Sequence, residues 1–197
     1  MNYYIDLGTW IGNSLINFMN QGPDPDRWQI ICFEPQEQYY KELWTLSAQY
    51  PKYRISILPC VTIDRDGVTD FYVDACGGEG STTLLNKFTN FVDYKTPLSL
   101  PCIDFSAWLK QLTRPGDYVA IRMNIEGGEY IILDKMMTDD TLKLIDQIRI
   151  DWHDQKFSDI NQAVGYRRIA KRFYEEVKRL DITCFENDGL FILPERL

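Results

Sequence analysis

The residues best placed to do chemistry lie in short stretches between apolar runs. The first stretch is Tyr4-Ile5-Asp6-Leu7-Gly8-Thr9-Trp10-Ile11-Gly12-Asn13-Ser14, of the form DxGxxxG. An apolar strand leads in and a helix leads out. Gly8 lets the backbone turn tightly and approach a ligand. Gly12 allows close packing of the helix on the strand. The turn and the helix start, from Thr9 to Asn13 and Ser14, offer free N–H groups and a positive dipole end, which suit a carboxylate. Asp6, at the strand end, suits an ammonium group. The same pattern also describes a glycine-bearing βα turn that holds nothing.

The second stretch ends in Phe33-Glu34-Pro35, with Glu34 lying 22 residues after Gly12. A carboxylate at the end of a second strand accepts both hydroxyl protons of a ribose. An exposed loop glutamate is the plain alternative. The third stretch is Ile121-Arg122-Met123-Asn124-Ile125-Glu126-Gly127-Gly128-Glu129. It follows an apolar run, so Asn124 and Glu126 fall at a strand's carboxyl end, where open α/β sheets bind ligands. Glu126 could equally cap the following helix. The backbone around Cys60–Ile63, including Val61 and Thr62, follows the third strand and would frame an adenine. His153 is the only histidine. It follows the fifth strand, and its ordinary pKa suits a general base near neutral pH. A surface or capping histidine is the alternative. Asp151 beside it would orient the imidazole or, with Asn124, bind a divalent cation.

Alternating elements must position these residues. Strands are expected at Asn2–Leu7, Trp28–Phe33, Tyr53–Leu58, Tyr118–Met123 and Leu144–Ile150. Helices are expected at 13–19, from Pro35 to about Gln49, after Asp104 as cap, at Gly128–Met137 and from about Ser158 to Leu180. Helices between strands imply crossovers and a parallel sheet. In the last helix Ile169, Phe173, Val177 and Leu180 recur at helical spacing and mark the buried face. Gly67–Val73 resembles a strand of a meander, Ala75–Thr83 a Gly/Ser/Thr loop, and Phe88–Leu100 an irregular aromatic segment. Asp181–Phe185 and Leu190–Leu193 flank Asn187-Asp188-Gly189 and read as a β-hairpin.

Composition narrows the function. The 197 residues suit one domain, and the net charge of −8 argues against nucleic acid as the main partner. The five scattered cysteines form no CxxC pair, so neither a zinc site nor a disulfide framework is expected. Cys32 and Cys184 lie in apolar runs and read as core residues. With no signal sequence and no run of 18 apolar residues, a cytoplasmic protein without a membrane span is expected.

Taken together, IDLGTWIGNS, FEP and RMNIEGGE resemble the DxGxNxG-like, FEP-like and KIDVEGxE-like segments of the FkbM family of methyltransferases. Gly80–Leu84 and Cys102–Phe105 add to the match, which runs from residue 3 to about residue 153. In this chain Arg122 and Asn124 stand where the family has lysine and aspartate. No N-terminal extension precedes the first strand, so the acceptor would be held by the 75–100 segment, as a mobile lid, and by later loops.

The resemblance implies an α/β, three-layer Rossmann-like sandwich. Its mostly parallel, seven-stranded sheet would finish in the antiparallel hairpin that separates class I methyltransferases from dinucleotide-binding sheets. It implies S-adenosylmethionine as cofactor, held by Asp6, Gly8, Thr9, Gly12, Asn13, Ser14, Glu34, Pro35, Val61, Thr62 and Asn124. It implies methylation of a hydroxyl on a small molecule, sugar or glycan, with His153, Asn124 and Glu126 at the reacting centre and no metal. The alternatives are a non-catalytic cofactor-binding module, motivated by Asn124, a nucleic-acid 2′-O-methyltransferase, and a nicotinamide-dependent oxidoreductase. Oligomeric state is not fixed by the sequence.

Overall fold

A computed structural model describes residues 1–197 except 79, 85–86, 88–90, 154–155, 158, 187–190 and 195–197. The central sheet uses β1 (Asn2–Leu7), β2 (Trp28–Phe33), β3 (Arg54–Leu58), β7 (Tyr118–Met123), β8 (Gln147–Ile150) and β9 (Thr183–Glu186). Their order is β3-β2-β1-β7-β8-β9, and every pairing is parallel. A small mixed sheet orders β4 (Val61–Ile63), β6 (Leu98–Asp104) and β5 (Gly67–Phe71), with β4 parallel and β5 antiparallel to β6.

The inner strands are apolar almost throughout because helices cover both faces. Tyr3, Ile5 and Leu7 of β1 pack with Phe105 and Leu109 of α3 (Phe105–Leu112), Leu133 of α4 (Glu129–Thr138) and Phe173 of α5 (Ile160–Leu180). Tyr4, between them, faces the other core with Phe18 of α1 (Asn13–Asn20) and Leu43 of α2 (Tyr40–Gln49). The side-chain period of two thus builds a helix–sheet–helix sandwich. The expected Asp104 cap forms, accepting from the Ala107 N–H, and Asp159 caps the last helix by accepting from the Asn161 and Gln162 N–H groups. Phe173 and Val177 are the buried anchors of α5. Full burial of a side chain such as Phe173 contributes about 1.5–3 kcal/mol.

The chain end departs from the sequence expectation. The Asn187–Gly189 turn and Leu190 lie outside the described residues. Residues 191–193 form no strand. Instead Phe191 and Leu193 fill the second core, and Gln147 holds the Ile192 N–H through its Oε1 at 2.8 Å. Among the described residues the sheet therefore has six strands, with β9 joining β8 in parallel and no antiparallel partner. Phe191 and Leu193 make core contacts rather than strand pairs, which periodicity alone does not separate. Likewise residues 98–100 belong to β6, not to an irregular segment: their partners on β5 lie some thirty residues away in sequence. No helix among the described residues is long and apolar enough to cross a membrane.

Candidate functional site

A cavity opens at the carboxyl ends of β1, β2 and β7, beside the 78–83 loop; its wall includes Gly8, Trp10, Glu34, Thr62, Asn124 and Glu126. Local backbone constraints bring these residues together. Gly8 has φ 79°, and a Cβ there would stand 2.0 Å from the Asn124 carbonyl oxygen. Only glycine lets the β1 turn lie this close to the end of β7. The Gly8 and Thr9 N–H groups both donate to the Phe33 carbonyl, at 3.1 Å, and tie the turn to β2.

Glu34 is buried in the wall, at 3% exposure. Its Oε2 accepts from the Trp10 N–H at 2.8 Å and its Oε1 from the Gln36 N–H at 2.9 Å. Burial pushes its carboxyl up to about 7, against the pull of those two backbone donors. Each oxygen keeps a further lone pair for a ligand. Two other atoms of the wall are buried without a partner among the described residues: the Asn124 Oδ1, an acceptor, and the Trp10 Nε1–H, a donor. Buried polar atoms are ordinarily paired, so such orphans mark where a bound molecule completes the network.

A second group of charges meets at Glu126. Its carboxylate accepts from Lys87 and from Lys156 at 2.9 Å, and lies 3.1 Å from the His153 Nε2. The His153 Nδ1 lies 3.0 Å from Glu129, which also accepts from the Ile125 and Gly127 N–H groups at 2.8 and 2.7 Å. Burial works against the ionised form of Glu126, yet His153 and Lys87 hold its carboxyl well below the usual carboxylate range. Burial works against the His153 cation too, yet Glu126 and Glu129 lift it to about 9. Lys87 is lowered by its burial. Glu126 sits at φ 56°, a left-handed state unusual for its type, and Gly127 follows at 109°. This sharp turn aims the carboxylate back into the cluster.

The residues singled out from the sequence therefore divide. Gly8, Glu34, Pro35, Val61, Thr62, Asn124 and Glu126 line the cavity. Asp6, Thr9, Gly12, Asn13, Ser14 and His153 do not. Asp6 is fully buried, and its carboxylate is taken by the Ser14 hydroxyl and, at 3.3 Å, by Arg122. Asp6 and Ser14 thus brace the turn from behind. The Thr9 hydroxyl donates to the Asp6 carbonyl at 3.2 Å. Gly12 has φ 90°, and its missing Cβ makes room for Leu46 of α2, 2.5 Å away, so it packs helix on helix rather than helix on strand. Asn13 is exposed. Asp151 is occupied by Arg122 at 3.3 Å. His153 lies outside the cavity lining with both ring nitrogens facing carboxylates, which favours its protonated form; a general-base role requires the ring to give up that proton first. Glu126 does not cap the following helix, whose N-cap, Gly128, has no side-chain cap bond.

Sequence reasoning missed Trp10, Gln36, Ser81, Lys87 and Lys156. Gln36 accepts from the Ser81 hydroxyl at 3.2 Å and donates to the Gly78 carbonyl at 3.1 Å, which holds the 78–81 loop against the cavity. No local pattern marks Gln36, Ser81, Lys87 or Lys156, because each meets partners thirty or more positions away. Trp10 alone gave a signal, as a bulky residue inside a glycine turn.

The cavity volume is about 60 Å³. Small-molecule sites commonly run to roughly 300–1,000 Å³. The cavity is thus narrower than a nucleoside-sized ligand requires.

No profile of a known family matches the chain, and no curated protein matches it. Among solved structures it is similar to a methyltransferase FkbM from Methylobacillus flagellatus KT, at 13% identity and TM-score 0.48, over 93% of this chain and 38% of that one. It is also similar to the yeast methylglyoxal/isovaleraldehyde reductase Gre2 complexed with NADPH, at 8% identity and TM-score 0.44, over 94% of this chain and 56% of that one. The chain thus spans well under two thirds of either structure.

Proposed function

We propose that this chain is an S-adenosylmethionine-dependent O-methyltransferase acting on a hydroxyl of a small molecule, sugar or glycan. The observation that carries the reading is the unpaired Asn124 Oδ1, held in the cavity wall across from the pinned Glu34 carboxylate. Glu34 suits the two ribose hydroxyls, and Thr62 with Val61 suits the edge and face of an adenine. An acceptor atom beside the Gly8 turn suits the ammonium of a methionine moiety. The residues present fit that cofactor, which supplies an activated methyl group when bound.

The rest of the work falls to orientation. Methyl transfer to a hydroxyl releases a proton, but an aliphatic hydroxyl keeps it until late in the transfer. Glu126, whose two oxygens are taken by Lys87, Lys156 and His153, holds the shape of the wall against which the acceptor lies, and the released proton passes to water. Proximity then contributes most of the rate. The wall residues Gly78, Ser81 and Thr83, within the lid read from the sequence, would part to admit ligands and close to exclude water.

Calorimetry with S-adenosylhomocysteine, S-adenosylmethionine and NADH tests the reading. Micromolar binding of the first two with weaker NADH supports it. The reverse order supports a nicotinamide-dependent oxidoreductase. One observation favours that second reading: the all-parallel order of the six-stranded sheet is the one common in dinucleotide-binding folds.

A further inference from the structure

Because that strand order serves dinucleotides and smaller adenosine ligands alike, the choice between them must lie in the turn after β1. In the dinucleotide fingerprint G-x-G-x-x-G, the second glycine lacks a side chain so that the backbone can approach the pyrophosphate. Counting from Gly8, that place is Trp10 in this chain. The largest of all side chains stands where the fingerprint requires none.

The position of Trp10 is held against its backbone preference. Its φ is 51°, in the left-handed region that bulky residues avoid. The N–H bond to Glu34 at 2.8 Å fixes it, and the indole packs edge-on to Tyr39 with ring centroids 6.3 Å apart. The ring lines the cavity with Glu34 and Asn124. The Nε1–H is buried with no partner among the described residues. Packing alone does not account for this: glycine would relieve the backbone, and phenylalanine would avoid the orphaned donor.

We infer that Trp10 sets the ligand selectivity of this cavity. Its ring blocks the path of a pyrophosphate, and its Nε1–H donates to the carboxylate of an amino-acid-bearing nucleoside. The inference rests on the methyltransferase reading and supplies the discrimination that the strand order does not.

Three proteins test it: the wild type, Trp10→Gly and Trp10→Phe. Each is titrated calorimetrically with S-adenosylhomocysteine and with NADH, after its melting curve confirms folding. NADH is the dinucleotide of choice because Glu34 would repel a 2′-phosphate. Glycine adopts the φ of this position freely, so Trp10→Gly keeps the turn. That variant is expected to bind NADH at least tenfold more tightly than the wild type does. Trp10→Phe is expected to exclude NADH still and to bind S-adenosylhomocysteine roughly fivefold more weakly, the equivalent of about 1 kcal/mol for one hydrogen bond. Unchanged NADH affinity in Trp10→Gly overturns the selectivity role. Full S-adenosylhomocysteine affinity in Trp10→Phe overturns the donor role. Neither result touches the cofactor reading, which stands or falls on the wild-type ranking of the two ligands.

Discussion

Two buried polar regions meet in one cavity wall and are built to opposite rules. Around Glu126 each buried charge has its partners: Lys87, Lys156 and His153 surround one carboxylate, and Glu129 closes the network onto backbone donors. Around Glu34 the network is left open, with a carboxyl raised to about 7 and orphaned atoms on Asn124 and Trp10. A satisfied cluster holds separate segments together, here Gly80 and Lys87, the 125–129 turn, and His153 with Lys156. An unsatisfied one is poised for a molecule that is not part of the chain. The difference teaches that burial of a polar side chain does not by itself mark a binding site; burial without a partner does.

The widest gap between the regions should appear on removing their central carboxylates. Glu126→Ala leaves buried cations without their counter-charge and is expected to cost about 3–5 kcal/mol of stability, read by urea denaturation. A cost below about 1 kcal/mol would mean that the cluster does not hold the fold. Glu34→Ala should do the reverse. Stability should hold or rise, because a buried carboxylate is removed, while affinity for S-adenosylhomocysteine falls by about 1–3 kcal/mol through the lost charge-assisted bonds. Unchanged affinity would place Glu34 outside the ligand's reach.

The acceptors and carboxylates of both regions were legible in the sequence, and the lysine cations that close the second one were not. Glu34 and Asn124 sit where apolar strands stop, and a strand end followed by Pro or Gly is a local signal that ligand sites in α/β sheets exploit. Tyr118–Met123 and Asn2–Leu7 form strands with the expected bounds for the same reason. Lys87 and Lys156 carry no such signal. Their roles come from meeting Glu126 across 39 and 30 residues of sequence. The run ending in Phe191–Leu193 misled because apolar residues report burial and not hydrogen-bond pairing. The ordinary pKa of His153 is a property of an isolated imidazole, and two carboxylates raise it.

The raised Glu34 carboxyl sharpens the comparison further. Its folded pKa of about 7 lies above the ordinary carboxylate value, so the folded protein resists its ionisation and gives up stability as pH rises toward 7. Ribose hydroxyls donate best to the ionised form. Affinity for S-adenosylhomocysteine should therefore climb as pH passes through 7, by about tenfold between pH 6 and 8 if ionisation is required. Glu34→Gln should flatten that climb. A wild-type affinity independent of pH over this range would show that the ionised carboxylate is not what the ligand meets.

The smallest effect is expected where the sequence promised one of the largest. A true general base at His153 would contribute roughly 10²–10⁴ in rate and would give a turnover that rises with pH through one titration. Held as a cation to about pH 9 between Glu126 and Glu129, His153 acts instead on the fold. Its folded pKa is raised above the ordinary 6.5, so its stabilisation is complete below 6.5 and is lost as pH rises through about 9. His153→Gln can keep one hydrogen bond to each carboxylate but cannot titrate. It should retain turnover within about tenfold of the wild type across a panel of hydroxylated acceptors, with the same pH profile. It should also lack the decline in melting temperature expected of the wild type between pH 6.5 and 9. A folded His153→Gln protein slowed a hundredfold or more, at every pH, would return the histidine to the reacting centre and place the closed cluster among the parts that do chemistry.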